Sequence, residues 1–115
     1  MAKIKSYTDI NQSRKLAEIL PLESADMLFQ LGEDKYADDI RVPLTKKHWE
    51  LMMPDINPCW SLAALLGVLP NENMLVKTTD GEYYCLAKDV MTKHYDNPID
   101  ACYEMILKLH EQNLL

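Results

Sequence analysis

Glycine and basic residues are scarce in this 115-residue chain, and both shortages exclude classes of function. Its three glycines, Gly32, Gly67 and Gly81, stand far apart, so no glycine-rich loop is available to bind a phosphate. The 12 basic residues are outnumbered by 18 acidic ones, which gives a net charge of −6. Nucleic-acid affinity depends on basic side chains that neutralise phosphates, so we expect no nucleic-acid partner.

Long apolar runs and paired cysteines are missing as well. The three cysteines, Cys59, Cys85 and Cys102, are odd in number and widely spaced, which indicates free thiols in a reducing compartment. No apolar run of signal-peptide length follows the charged N-terminus. The longest apolar stretch, 62–69, is interrupted by Gly67 and is too short to cross a membrane. We therefore predict a cytoplasmic protein without membrane contact.

Length and composition predict a single globular domain over residues 1–115. Hydrophobic residues make up 48% of the chain and charged residues 26%, a balance typical of folded proteins. A domain of this size buries enough apolar surface to fold without metals or disulfides. Neither internal repeats nor low-complexity segments interrupt it.

The C-terminal segment carries the strongest helix signal, and a helix is predicted over residues 98–112. Asn97 is a favourable N-cap residue, and Pro98 suits the first helical position. Apolar residues then recur at helical spacing: Ile99, Cys102, Ile106 and Leu109. Such a stripe indicates that one face of the helix is buried.

A β-hairpin is predicted with strands 74–79 and 82–87. The Asp-Gly pair at 80–81 suits a two-residue type I′ turn, in which both residues have positive φ. That turn places Val76 opposite Cys85. The face predicted to meet the core then carries Met74, Val76, Thr78, Tyr83, Cys85 and Ala87. A register shifted by one residue would bring charged side chains to this face, which favours the pairing of Val76 with Cys85.

Two further helices are predicted. The first begins at Thr8 as its N-cap and ends before Pro21. The second, 60–66, is apolar on nearly every side, which is typical of a buried helix, and Gly67 is its expected stop.

The remaining segments are shorter. Strands are predicted near 27–31 and 40–42, on either side of the acidic stretch 33–39, and a short helix over 45–53. Together with the hairpin, these elements predict an α+β fold. In this fold a small antiparallel sheet of two to four strands packs against the C-terminal helix and the short buried helix.

Histidines and cysteines are the residues that could bind a metal, but their spacing indicates no site. His48, His94 and His110 lack the paired spacing of zinc ligands. Cys85 and Cys102 fall on predicted inward faces, where cysteine acts as a small hydrophobic residue. The sequence predicts no metal site and no cofactor.

Nucleophilic catalysis has no recognisable motif either. Ser61 lies outside a G-x-S-x-G context, and its expected role is a helix N-cap. Cys59 lies in a proline-bounded segment and has the best chance of exposure among the thiols, although burial beside Trp60 is favoured. We therefore predict no catalytic residue.

Aromatic residues are the remaining indication of function. Trp49, Trp60, Tyr84 and Tyr95 are difficult to bury together in so small a core. If exposed and grouped, they would indicate a protein-binding surface or a dimer interface. Scattered partial exposure is the commoner outcome.

Three stretches carry a resemblance. Residues 58–66, PCWSLAALL, with Leu69-Pro70 closing the block, resemble a block in an uncharacterised family of small prophage and mobile-element proteins of gut anaerobic bacteria. Residues 96–111 are similar to the closing helix of those proteins, and 24–27 to their N-terminal part. The resemblance implies a bacterial or phage setting and a single-domain accessory protein. It implies no activity, cofactor or catalytic residue.

We expect a non-enzymatic accessory or protein-interaction domain of a phage or mobile element, with a protein partner or a second copy of itself. The alternative is a small enzyme or ligand-binding domain with a site near Cys59. A deep pocket that collects Cys59, a histidine and a carboxylate would favour the alternative. An exposed aromatic or methionine-rich patch would favour the interaction domain.

Overall fold

The structure, a computed structural model, describes residues 5–29, 41–43 and 58–115. The helices in this part of the chain are α1 (Ile10–Ile19), α2 (Leu62–Val68) and α3 (Pro98–Glu111), with a 3₁₀ turn at Leu22–Ser24. The first sheet contains β1 (Met27–Phe29), β2 (Arg41–Pro43) and β3 (Pro58–Cys59), in the order β2-β1-β3. The second sheet contains β4 (Met74–Lys77), β5 (Tyr83–Ala87) and β6 (Val90–Met91), in the order β4-β5-β6. All neighbouring strands are antiparallel.

The predicted α+β fold is confirmed. One face of the second sheet packs against α3, and α2 packs against α3 as well. A single cluster of buried side chains joins these elements with α1. None of the helices among the described residues is long and apolar enough to span a membrane.

Helix α3 forms almost where the sequence predicts it. Asn97 accepts a hydrogen bond at its Oδ1 from the backbone N–H of Asp100, at 2.8 Å, and Pro98 opens the helix. The predicted apolar stripe is fully buried: Ile99, Cys102, Ile106 and Leu109. Ala101 and Met105 are also fully buried and widen the stripe. The caps and the apolar spacing are both local signals, which is why the sequence locates this helix well.

The hairpin forms, but its predicted register is wrong by one residue. Leu75 lies opposite Cys85, where Val76 was expected. The loop holds three residues instead of two, because Thr78 N–H donates to the Glu82 carbonyl at 2.8 Å and closes it. Within the loop only Gly81 has a positive φ, of 81°. A turn followed by a left-handed glycine is the usual three-residue hairpin loop, and Asp-Gly suits it as well as it suits type I′.

The shifted register exchanges the two faces of β4. The predicted inward face of β5 is confirmed, since Cys85 and Ala87 are buried. On β4, however, Leu75 packs against the core, while Met74 is 56% exposed. Lys77 shares the core-facing side without being buried. Its ammonium lies 5.7 Å from the centre of the Tyr83 ring, in reach of a cation–π contact.

A two-residue turn of type I′ geometry occurs one loop later, between β5 and β6. Ala87 pairs with Val90, and the two residues between them both have positive φ, 50° at Lys88 and 62° at Asp89. Lysine is not among the residues that favour this turn, so the sequence carried no signal for it.

Helix α1 begins one residue later than predicted, with Asp9 as its N-cap. The Asp9 carboxylate accepts from Gln12 N–H at 2.8 Å, and the Gln12 side chain accepts from Asp9 N–H at 3.1 Å. Thr8 is instead fully buried, and its Oγ1 accepts a hydrogen bond from Trp60 N–H at 3.1 Å. A contact distant in sequence therefore decided between two suitable capping residues.

Helix α2 also differs in its bounds. Trp60 precedes it, Ser61 is its N-cap, and the helix continues through Gly67 to Val68. Pro70 is the stop, because the residue before a proline disfavours helical backbone, and the C-cap Leu69 is extended. Burial is one-sided, with only Leu65 fully buried within the helix, so the expectation of burial on nearly every side is wrong.

The two short strands around the acidic stretch pair as β1 and β2, with Leu28 opposite Val42. The helix predicted over 45–53 lies outside the described residues, as do the acidic stretch 33–39, His48 and Trp49.

Candidate interaction surface

The cysteine thiols are core residues. None of the three forms a disulfide and all are fully buried, so burial of Cys59 beside Trp60 is confirmed. Contact with the Cys85 thiol raises the pKa of Cys102, and burial raises it further. A thiol with a raised pKa is a weak nucleophile at neutral pH. No group of three potential metal ligands occurs in the part of the chain that the structure describes.

Ser61 has the capping role that the sequence predicts. Its Oγ accepts a hydrogen bond from Ala64 N–H at 3.2 Å. Asp26, next to β1, accepts the Ser61 backbone N–H at 2.9 Å and also the Ser61 hydroxyl. These bonds fix the start of α2 to the first sheet, and they explain the hydroxyl–carboxylate pair without catalysis.

The second sheet presents an apolar face to solvent. Side chains alternate along each strand, so the residues that do not meet the core point to the opposite side. We call this side the outer face; it consists of Met74, Val76, Tyr84, Leu86 and Met91. Met74 and Met91 are 56% and 59% exposed, and the other three are half-buried. Strand pairing places Met74, Leu86 and Met91 in one row across the sheet.

One end of the outer face carries a stacked aromatic pair. The backbone N–H of Thr92 donates to the Cys85 carbonyl, and Tyr95 exchanges two backbone hydrogen bonds with Tyr83. Residues 93 and 94 therefore both lie opposite Tyr84, which makes a β-bulge. The bulge lets the His94 ring stack on Tyr84, with ring centres 4.9 Å apart and planes inclined by 15°.

The other end opens into a cavity of about 450 Å³ beside the β5–β6 turn. Leu86 belongs to both the outer face and this cavity. Three lining residues have left-handed backbone: Glu72 at φ 67°, and the turn residues Lys88 and Asp89. The outer face is thus apolar at its centre and bordered by charged side chains, which is the usual anatomy of a protein interface.

A second cavity, of about 360 Å³, lies where α1, α2 and α3 end. It is lined by Ile19 and Leu20 of the α1 end, Gly67 and Val68, and His110. Cys59 lines neither cavity, so these pockets do not combine it with a histidine and a carboxylate.

The region around the outer face is electrically neutral. Residues 74–95 hold three lysines and three acidic side chains, whereas the whole chain has a net charge of −6. The excess of acidic residues lies elsewhere in the chain. A partner at this face would therefore meet little net repulsion.

Of the three aromatic residues singled out by sequence that the structure describes, one reaches the outer face. Tyr84 lies there, whereas Trp60 is fully buried and donates from Nε1 to Ser24 Oγ at 3.0 Å. Tyr95 packs against the core, and burial and the carboxylates of Glu104 and Asp100 raise its pKa. The sequence missed both exposed methionines: the predicted register placed Met74 inward, and no strand was predicted at Met91.

Similarity to known proteins adds no function. The chain matches no family model, no curated protein and no solved structure. The function is therefore inferred from the outer face.

Proposed function

We propose that this protein is a non-enzymatic accessory domain that binds a protein partner through the outer face. The observation that supports this proposal is the exposure of Met74 and Met91 on either side of Leu86, in one row of the sheet. Burying a methionine stabilises a complex by about 1.5–3 kcal/mol before entropic costs. The unbranched side chain also adapts to irregular partner surfaces. An isolated exposed apolar residue needs no explanation, but a contiguous row favours binding.

The cellular setting belongs to the same proposal. Three buried cysteines that form no disulfide favour the reducing cytoplasm. An origin in a phage or mobile element is supported by the resemblance of residues 58–66 and 96–111. The alternative, a small enzyme or ligand-binding domain with a site near Cys59, stays a prediction, and the burial of that thiol does not favour it.

Affinity capture from the native host cell tests the proposal with two matched double variants. Met74→Glu/Met91→Glu places two charges on the outer face, at side chains exposed enough to tolerate them. Asn11→Glu/Ala63→Glu places two charges at exposed positions of α1 and α2. Both variants should fold, as checked by circular dichroism and thermal melting. A partner retained by wild type and by the helix variant but lost by the outer-face variant is expected. Equal capture by both variants would contradict the proposal.

A further inference from the structure

Among the described residues, the second sheet has an unpaired edge at β4. Within the described residues β4 pairs only with β5, and its other side adjoins no strand. The hydrogen bonds of the sheet define which backbone groups point to that side. Tyr83 exchanges both backbone bonds with Tyr95, at 2.7 and 2.8 Å, so its N–H and C=O point toward β6. Because successive residues of a strand direct their backbone groups to opposite sides, the N–H and C=O of Tyr84 and Leu86 point toward β4.

The partners of Tyr84 and Leu86 are Val76 and Met74, so these two β4 residues use their backbone groups inside the hairpin. Alternation leaves Leu75 and Lys77 with N–H and C=O directed away from the sheet. No described residue supplies hydrogen bonds to them. Unpaired groups of this kind are a template for another strand.

We infer that two copies of this chain pair antiparallel through their β4 edges and form one continuous six-stranded sheet. The twofold axis passes between the two Leu75 residues. This register places Met74 opposite Val76 of the second copy, and Lys77 opposite Asn73 of the second copy. Both outward-directed residues then find backbone partners, and the exposed Met74 packs against the half-buried Val76 of the second copy. A register that pairs Lys77 with itself would set like charges face to face.

Lys77 is the residue that could block such pairing, since edge lysines commonly prevent strand addition. Here its ammonium lies over the Tyr83 ring of its own hairpin, 5.7 Å from the ring centre. The ammonium therefore lies beside its own sheet and does not block the edge. The neutral balance of residues 74–95 also lets two copies meet here, although each chain carries a net charge of −6.

The pairing would join the outer faces of the two copies. The row Met74, Leu86 and Met91 would continue through Val76 and Tyr84 of the second copy, so the apolar surface would double in width. Self-association covers Met74 and Val76 at the β4 border of the outer face, but it leaves Leu86 and Met91 open to a partner. The two proposals can therefore succeed or fail separately.

Substitutions of opposite charge at position 73 test the register. The dissociation constant of the dimer is measured by sedimentation equilibrium at micromolar concentrations. Asn73→Glu would place a carboxylate opposite Lys77 of the second copy, twice in each dimer, and Asn73→Lys would place like charges there. Each variant loses the same Asn73–Pro70 hydrogen bond, so each is a control for the other. Two exposed ion pairs should tighten the dimer on the order of tenfold for Asn73→Glu, with comparable weakening for Asn73→Lys. If net charge alone determined dimer stability, Asn73→Glu would weaken the dimer, because it makes the chain more acidic, and Asn73→Lys would tighten it.

Lys77→Pro removes an outward N–H without removing a hydrogen bond of the hairpin. It should abolish the dimer while the circular dichroism spectrum stays that of the wild type. A monomeric wild type at all concentrations, or a dimer that ranks the two Asn73 variants by net charge, would overturn the inference. Neither result would alter the capture experiment on the outer face.

Discussion

Lys5 Nζ lies 2.7 Å from Asp100 Oδ1 and so joins the segment before α1 to the first turn of α3. Gln12 Nε2 donates to the same oxygen at 2.7 Å, and Asn97 Nδ2 donates to the other oxygen at 2.8 Å. Burial by itself raises the pKa of Asp100, but the hydrogen bonds from Lys5, Asn97 and Gln12 outweigh it and hold the pKa below its usual value. One carboxylate therefore joins the segment before α1 and α1 itself to the start of α3.

Replacing this carboxylate should destabilise the fold. Asp100→Asn is expected to lower the free energy of unfolding by about 1–2 kcal/mol, because hydrogen bonds to a partly buried charge contribute more than neutral ones. Urea denaturation at neutral pH measures the loss. Glu18→Gln is the matched control, since its carboxylate is 70% exposed and lies 3.9 Å from Lys15. An equal effect of the two substitutions would contradict the stabilising role of Asp100.

The same carboxylate predicts a pH dependence. A pKa that is lower in the folded than in the unfolded state stabilises the fold fully above the unfolded value, about 3.9 for aspartate. That contribution is lost as pH falls from about 4 through the lowered pKa of the folded state. The difference in unfolding free energy between wild type and Asp100→Asn should therefore shrink below about pH 4. A difference that grows with acidification would contradict this sign.

The three-residue hairpin loop makes a prediction at Gly81. Space is available for a side chain there, since a Cβ would meet nothing within 4 Å, but φ is 81°. Gly81→Ala should therefore destabilise through backbone conformation alone, by about 1 kcal/mol. Asp80→Gly should not stabilise, because Asp80 does not have the positive φ that a two-residue turn would require. Stabilisation by Asp80→Gly in thermal melts would instead favour a two-residue loop and the register predicted from sequence.

The β5–β6 turn makes the converse prediction. Asp89 has a φ of 62°, which an aspartate adopts at a cost and a glycine adopts freely. Asp89→Gly should raise the free energy of unfolding by about 0.5 kcal/mol and the Tm by a few degrees. Calorimetry of this variant beside Asp80→Gly compares the same substitution in two loops. A lower Tm for Asp89→Gly would show that interactions of the aspartate side chain stabilise the fold by more than its left-handed backbone destabilises it.

These loops show where sequence reasoning fails in this chain. Helix α3 follows from signals within a few residues, Asn97, Pro98 and the apolar stripe, and it forms as predicted. The hairpin depends on a choice between two loops that Asp80-Gly81 suits equally well. Because side chains alternate, the one-residue difference moved Met74 from the predicted core to the outer face.

Other differences arose from contacts between distant parts of the chain. Thr8 and Asp9 are both good capping residues, and the burial of Thr8 against Trp60 leaves Asp9 to cap α1. From the sequence, the candidate site could be predicted only as an exposed aromatic or methionine-rich patch, and its residues could not be named. Its residues come from three strands, and strand register decides which of them share a face.

A photo-crosslinking amino acid at position 91 shows directly whether the outer face binds a protein partner. In the native host cell it would react with whatever lies within a few ångströms of the outer face. The same residue at position 63, an exposed site on α2, is the control. We predict a discrete adduct from position 91, identified by mass spectrometry, that position 63 does not form. No adduct at position 91, or the same adduct at both positions, would contradict the proposal that this face binds a protein partner.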